Sequence, residues 1–488
     1  MNSKPSHLSK SRLMAARQCL KRLYLEVNRP ELAVVSREAQ AAFDTGNRVG
    51  RVAHDIYGTG EAVLIPYAGG LRHALRKTAR LLAEGTRFPI FEATFEYGDV
   101  VVRVDVLLPD GDAWRIVEVK AATSVRDEHV FDCAVQAWVF QGLGYPLNSI
   151  SLAHVDTSFV YAGDGDYGGL LVEEDLTRQV LPVRAAVPEW IARARDAAGG
   201  PTPEIRVGRH CTLPHECPFI GHCWPSDTEF PVQVLGGSKE KLGDFVACGY
   251  RDARDVPRDR LSDRQHRIQR VSGSGEAERL PGARRFIRDL AYPRYYLDFE
   301  TIMPAVPLWA GTRPYETLPF QWSCHYEPAP GVIEHCDFLD LTGEPPMRRL
   351  TESLIRALGD AGPIIVYTGY ERYVIDGLRD RCPDLAGALG RVLDRLVDLY
   401  PVTREFYYHP AMAGSWSLKA VLPTIAPELA YHELEGIQEG TAASEGYLEA
   451  IDAATAPERK AELETQLKRY CAWDTEGLVR LARFLGEG

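Results

Sequence analysis

The sequence predicts an α/β chain with two sheet-bearing domains joined by a helical connector. Three observations lead there. First, residues 91–121, "FEATFEYGDVVVRVDVLLPDGDAWRIVEVKA", alternate apolar and polar residues through three strand-length runs, with turns at Gly98-Asp99 and Pro109-Asp110-Gly111-Asp112. Second, "YYLDFE", "PFQWSCHY" and "VIEHCDFLD" form a later alternating series, followed by a helical pattern and the strand "PIIVYT". Third, residues 235–282 between them are charged and punctuated by Gly and Ser, as a helical connector would be. The expected boundaries are 1–230, 231–285 and 286–488.

In chain order, helical segments are expected near 9–27 and 45–58, then the three-stranded meander. A helix over "DCAVQAWVFQGLG" and a strand over "SISLAHVDTSFVY" follow. After the connector come three strands, the helix "MRRLTESLIRALGDA", the fourth strand, and a mostly helical remainder ending in "ERKAELETQLKRYCAWDTEGLVRLARFL". A length of 488 residues suits two to four domains of about 150 residues each, and 45% hydrophobic with 25% charged residues is ordinary for globular protein. The net charge of −12 argues against a protein that coats nucleic acid nonspecifically, although not against an enzyme with a local basic groove. The basic N-terminus lacks a signal-peptide apolar run, and no stretch of 18 apolar residues occurs; a soluble, cytoplasmic protein with no membrane partner is the expectation. Ten cysteines are too sparse for a disulfide scaffold, so clustered ones read as metal ligands.

Glu118 and Lys120 lie two apart on one strand and therefore share a face, and the preceding hairpin strand can bring Asp105 beside them. Two carboxylates and an amine on one face have a chemical use. The acids hold a divalent metal that activates water, and the lysine orients that water or stabilises phosphorane-like charge. An exposed sheet face with a routine Glu-Lys pair is the plain alternative. The order of elements and these residues resemble the PD-(D/E)XK nucleases, especially the RecB-like branch and its CRISPR-associated exonucleases, over residues 8–225. That resemblance implies a restriction-endonuclease-like core, His54 in "GNRVGRVAHDIYG" as a further metal ligand, and Gln136 in the following helix as a site residue. The family usually has a tyrosine four residues later, where this chain has Phe140.

"HCTLPHECPFIGHCW" spaces Cys211, Cys217 and Cys223 as C-x5-C-x5-C. A fourth thiolate is needed for tetrahedral zinc or an iron–sulfur cluster, and Cys19 is the candidate; His210, His215 and His222 offer a mixed zinc site instead. Chemistry alone leaves both metals open. Iron–sulfur RecB-like nucleases place one cysteine at the N-terminus and three after the core, so the resemblance implies a 4Fe–4S cluster on Cys19, Cys211, Cys217 and Cys223. The six other cysteines, Cys471 among them, read as core residues.

Asp298 and Glu300 in "RYYLDFET" should project from one face of a strand, with Leu297 and Phe299 on the other. Burying like charges together costs several kcal/mol unless something positive compensates, on the order of the penalties known for buried ions. Tyr470 and Asp474 of "RYCAWDTEG" are four apart and share a helix face. Three strands, a helix, a strand and then helices is the order of a ribonuclease-H-like fold. The D-x-E strand with a distant Y-x3-D resembles the DEDD exonucleases of the DnaQ and RNase D group. The resemblance implies two Mg²⁺ or Mn²⁺ ions held by Asp298, Glu300 and Asp474, with Tyr470 positioning water. It requires a fourth acid; Glu371 directly follows the fourth strand, and Asp398 is the substitute candidate. The second half, with "FYYHPAMAGSWSLKAVLP", also looks like a widespread prokaryotic domain of undefined role that is often fused to RecB-like nucleases. Within it Lys419 and Ser415 could contact phosphate, or Ser415 could cap a helix starting at Trp416.

The expectation is thus a metal-dependent nuclease with two candidate active sites, acting on DNA from single-stranded ends, in repair or mobile-element defence. An end-binding scaffold with a degenerate site and an RNA exonuclease are the rivals.

Overall fold

Both alternating series form sheets in the computed structural model, which describes residues 8–58 and 60–487. The chain is α/β and divides into two units. The first holds the described residues up to Trp224 with Lys239–Ala247 and Pro304–Tyr315; the second holds Pro225–Ser238, Cys248–Met303 and the described residues from Glu316 on. Residues 231–285 are thereby shared between the units.

The first unit is built on seven strands: Leu8–Ser9 (β1), Val63–Leu64 (β2), Ile90–Tyr97 (β3), Val100–Asp110 (β4), Ala113–Lys120 (β5), Leu147–Val155 (β6) and Leu171–Asp175 (β7). Their order is β2-β3-β4-β5-β6-β7, with β1 beside β4. β3, β4 and β5 are antiparallel, joined by tight turns in which Gly98, Asp99 and Gly111 take positive φ. β6 runs parallel to β5 because the helix Asp127–Gly142 returns the chain between them. That helix buries Cys133, Ala134, Val135, Val139 and Phe140 in the main core, with the Phe140 ring edge-on to Phe95 at 5.1 Å.

Three details depart from the sequence pattern. The first helical segment breaks at Cys19, whose backbone is extended (φ −163°, ψ 120°), into Lys10–Gln18 and Leu20–Asn28. The break lets Leu13 of the first helix and Leu23 of the second enter one core. β6 stops at Val155 because the Asp156 carboxylate accepts the Ser158 N–H at 2.8 Å and turns the chain. The helix expected near 45–58 is longer, Arg37–Tyr57, with Ser36 capping it through the Ala39 N–H.

In the second unit Glu278–Arg279 (β8) pairs with Tyr407–Tyr408 (β14). The larger sheet contains Arg294–Ile302 (β9), Leu318–Glu327 (β10), Glu334–Leu339 (β11), Ile364–Val366 (β12) and Leu396–Asp398 (β13), in the order β11-β10-β9-β12-β13. β9, β10 and β11 are antiparallel neighbours, whereas β12 is parallel to both β9 and β13. The helix Pro457–Gly486 packs on β9 and β10. Its buried stripe runs through Leu463, Leu467, Tyr470, Cys471, Asp474, Leu478 and Leu481, an i, i+3, i+4 pattern that seats two polar residues against the sheet. Helix Asp263–Ser274 begins with a Ser262/Gln265 capping box and ends at Gly275, which is left-handed at φ 72°. No helix among the described residues is long and apolar enough to cross a membrane.

Candidate active sites and a thiol cluster

On the first sheet Asp105 lies one residue beyond the Val106–Val117 pair, which sets it across from Glu118. Its carboxylate accepts the Val119 N–H at 2.8 Å. Lys120 donates to Glu118 at 2.5 Å and to Asp132 at 2.9 Å. Gln136 donates to Glu118 at 2.5 Å, while its own carbonyl oxygen is buried with no hydrogen-bond partner. The four sheet-and-helix residues singled out from sequence therefore meet.

Three partners were not anticipated. Lys10, at the start of the first helix, donates to Glu118 and sits equally close to Asp132, at 2.8 Å in each case. Asp132 lies one helical turn before Gln136 and receives both lysines. Glu92 of β3 has φ 60° in mid-strand, pairs with Arg103 at 2.6 Å and has His54 at 4.0 Å. His54 stacks on Phe91, and burial lowers its basicity, which favours the neutral imidazole. A D-x3-Q pair on one helix face was the signal available for Asp132; Lys10 had none, being 108 residues from its partner.

Burial, and then Glu118, push the Asp105 carboxyl up to about 8. Burial opposes the charge of Lys10 and Lys120, but Asp132 and Glu118 outweigh it and raise both ammoniums. Asp132 is held below the carboxylate range: burial acts against ionisation, and Lys10 and Lys120 overcome it. This face is thus substantially neutralised from within. Phe140 belongs to the core.

Cys19, Cys211, Cys217 and Cys223 line one small cavity of the first unit. The helix break aims Cys19 there, and Gln18 donates to the carbonyls of His210 and His215 at 2.7 Å each, tying the first helix to the cysteine loop. Burial raises the thiols of Cys19 and Cys223 and takes Cys217 up to about 11. Among the described residues no three of these sulfurs lie within 4.8 Å of one another. Tetrahedral zinc with Zn–S bonds of about 2.3 Å would need thiolates roughly 3.8 Å apart.

In the second unit Asp298 and Glu300 share one face of β9, as their spacing requires, with Leu297 and Phe299 in the core behind them. The long helix supplies Tyr470, Cys471 and Asp474. Asp298, Glu300 and Cys471 place potential ligand atoms within 4.8 Å of one another, the one such trio among the described residues. The Cys471 sulfur is 3.8 Å from the Asp298 carboxylate, so this cysteine belongs to the site as well as to the core. Glu371 sits in the first turn of Tyr370–Arg381, buried, with one carboxylate oxygen lacking any hydrogen-bond partner. Asp398 instead accepts the N–H groups of Thr368 and Tyr400, each at 2.8 Å, and caps Leu399–Phe406. Thr368, just before Glu371, is itself left-handed at φ 87°, a strained bend for a β-branched residue.

Tyr431 donates to Asp474. Burial raises Asp298, Glu300 and Glu371 well above the carboxylate range, reinforced by Asp474 at Asp298 and by Asp298 at the other two. Burial takes Asp474 up to about 6, although Tyr431 and Lys419 pull it down. Among the described residues no cation lies within 4.0 Å of these four acids. Such a set is stable when protonated or when cations enter it. The Tyr470 hydroxyl is pushed up by burial and by Asp474, and stays protonated. Ser415 lies two residues before the N-cap Ser417: its hydroxyl accepts the Ser417 N–H, and the helix begins at Leu418, not at Trp416.

A family profile described as a domain of unknown function, DUF2779, matches residues 295–417, which include Asp298, Glu300, Glu371 and Asp398. No curated protein matches the chain. Among solved structures the crystal structure of SSO0001 is similar at 12% identity and a TM-score of 0.26, over 46% of this chain and 88% of that one.

Proposed function

We propose that the chain is a metal-dependent nuclease with two active sites, an iron–sulfur RecB-like PD-(D/E)XK site in the first unit and a DEDD-type site in the second, acting in the cytoplasm on DNA with single-stranded ends. The observation that carries this reading is the second unit's pocket of half-buried Asp298 with buried Glu300, Glu371 and Asp474, four acids with no bonded cation among the described residues. Mg²⁺ or Mn²⁺ bound there would supply positive charge and lower the pKa of an attacking water. The protein's own contribution is to bring the four acids together and to keep the Tyr470 hydroxyl protonated near them, as a donor for that water.

Support for ribonuclease-H-like architecture is the strand order, which in chain terms reads third-second-first-fourth-fifth. Support for the restriction-endonuclease-like core is the meander, helix and parallel strand that bring Asp105, Glu118, Lys120 and Gln136 together. In this site Lys120 would steady developing phosphoryl charge, and His54, Asp105 and Glu118 would hold the metal. Support for a 4Fe–4S cluster is that Cys19, Cys211, Cys217 and Cys223 line one cavity while, among the described residues, no three of their sulfurs come as close together as tetrahedral zinc needs. One observation favours the rival scaffold reading for the first site alone: Lys10 and Lys120 already neutralise its acids.

Purified protein with Mg²⁺ or Mn²⁺ should cleave end-labelled single-stranded DNA in preference to duplex DNA or RNA. Lys120→Ala and Asp298→Ala should each remove part of that cleavage, and the double variant all of it. Full activity in the double variant would overturn the reading.

A further inference from the structure

The second site contains one lysine that the metal-binding reading leaves unused and for which the sequence allows a phosphate contact. Lys419 opens the helix Leu418–Ile425 and is exposed. Its ammonium lies 5.0 Å from the Tyr431 ring centre and 5.4 Å from that of Tyr470, and donates to the Gln438 carbonyl at 3.1 Å. Both rings belong to the acid pocket: Tyr431 donates to Asp474, and Tyr470 precedes Asp474 by one helical turn. Lys419 is close enough for its charge to oppose the burial that raises Asp298, Glu300 and Asp474. Yet among the described residues it forms no ion pair with any of them. The lysines of the first site behave otherwise, since Lys10 and Lys120 sit directly on carboxylates. Two aromatic faces and a carbonyl keep Lys419 off the acids. The acids, with the unpartnered oxygen of Glu371 among them, are left for metal cations, and the ammonium is left for an anion at the rim.

Resting on the nuclease reading of this site, we infer that Lys419 is a phosphate-binding residue: its ammonium donates to a non-bridging oxygen of a single-stranded nucleic acid whose scissile bond lies over the acids. A compact, rotatable donor at the mouth of an acidic pocket solves a specific problem. The acids themselves offer a polyanion no attraction until metals are in place, and one cation standing clear of them gives the strand a fixed point of attachment.

The test uses the full chain carrying Lys120→Ala and Asp105→Ala, so that the first site neither cleaves nor holds metal. Short fluorescein-labelled single strands, one DNA and one RNA of the same sequence, are titrated in Ca²⁺ by fluorescence anisotropy over a range of KCl, and Mn²⁺ binding is followed by calorimetry. Lys419→Ala should weaken binding about tenfold, the worth of one charge-assisted hydrogen bond. It should also reduce the salt slope by about 0.7, the signature of one lost phosphate contact on a single strand. Lys419→Arg should keep most of both, and Mn²⁺ binding should be unchanged. The strand whose slope changes, DNA or RNA, names the substrate. An unaltered affinity and slope on both strands, with Asp298→Ala still abolishing Mn²⁺ binding, overturns this inference alone. Loss of Mn²⁺ binding in Lys419→Ala also overturns it, by showing a structural role. Mn²⁺ binding that survives Asp298→Ala overturns the metal-site reading and this inference with it.

Discussion

At Asp474 burial and a tyrosine hydroxyl pull in opposite directions, and burial prevails. A carboxyl that ordinarily titrates at 3.8 and is raised to about 6 in the folded protein binds more protons folded than unfolded between those values. Stability is therefore full below pH 3.8 and is lost as pH rises through 6, by up to about 3 kcal/mol for this group. Asp298, Glu300, Glu371 and Asp105 are raised in the same sense, so the fall should continue toward pH 8. Urea midpoints measured in EDTA should be lower at pH 7.5 than at pH 5; Asp474→Asn should flatten the difference, and Mn²⁺ should raise the midpoint at pH 7.5. A midpoint that climbs with pH in EDTA would contradict the assignment of these acids as unpaired. Lys10 makes the opposite case. Its removal leaves Glu118 and Asp132 short of a cation bonded at 2.8 Å, and Lys10→Met should destabilise the protein by about 3 kcal/mol, read from the same urea curves at pH 7.5.

Two short helices meeting at Cys19 do what one straight helix would not. They bury Leu13 and Leu23 together and turn the Cys19 thiol toward Cys211, Cys217 and Cys223. If these thiols hold a cluster, binding and folding of this end are coupled. Cys217→Ser should then lose iron by elemental analysis and lower the thermal midpoint of anaerobically purified protein. Stoichiometric zinc without iron in the parent protein would sink the cluster proposal. The long helix Pro457–Gly486 shows the same economy at the other site, because one buried stripe presents both the apolar residues that seat it on β9 and β10 and the pocket residues Tyr470, Cys471 and Asp474.

The two acid sets occupy different units and share no residue. Asp298→Ala should accordingly abolish one cleavage activity and spare the one that Lys120→Ala removes. By analogy with losing one preorganised oxyanion donor, the loss should be at least about a hundredfold in rate. Equal partial losses of a single activity in both variants would show one composite site.

The sequence by itself determined the alternation that builds both sheets, the turns at Gly98-Asp99 and Gly111, and the shared faces of Asp298 with Glu300, Glu118 with Lys120 and Tyr470 with Asp474. These follow from two backbone periods, which are properties of neighbouring residues. What only the tertiary structure decided lies between distant segments. Lys10 reaches Glu118 across 108 residues because the first helix packs near the sheet, and nothing local in "SKSR" announces it. Cys471 reads as one more apolar position of a helix stripe until β9 sets Asp298 beside it. Sequence favours Glu371 over Asp398 only by its place directly after a strand; β13, three residues long and too short for any periodicity, turns Asp398 into a helix cap, while Glu371 follows a strained bend at Thr368. Local pattern specifies which face a side chain takes, and packing of remote segments specifies what meets it there.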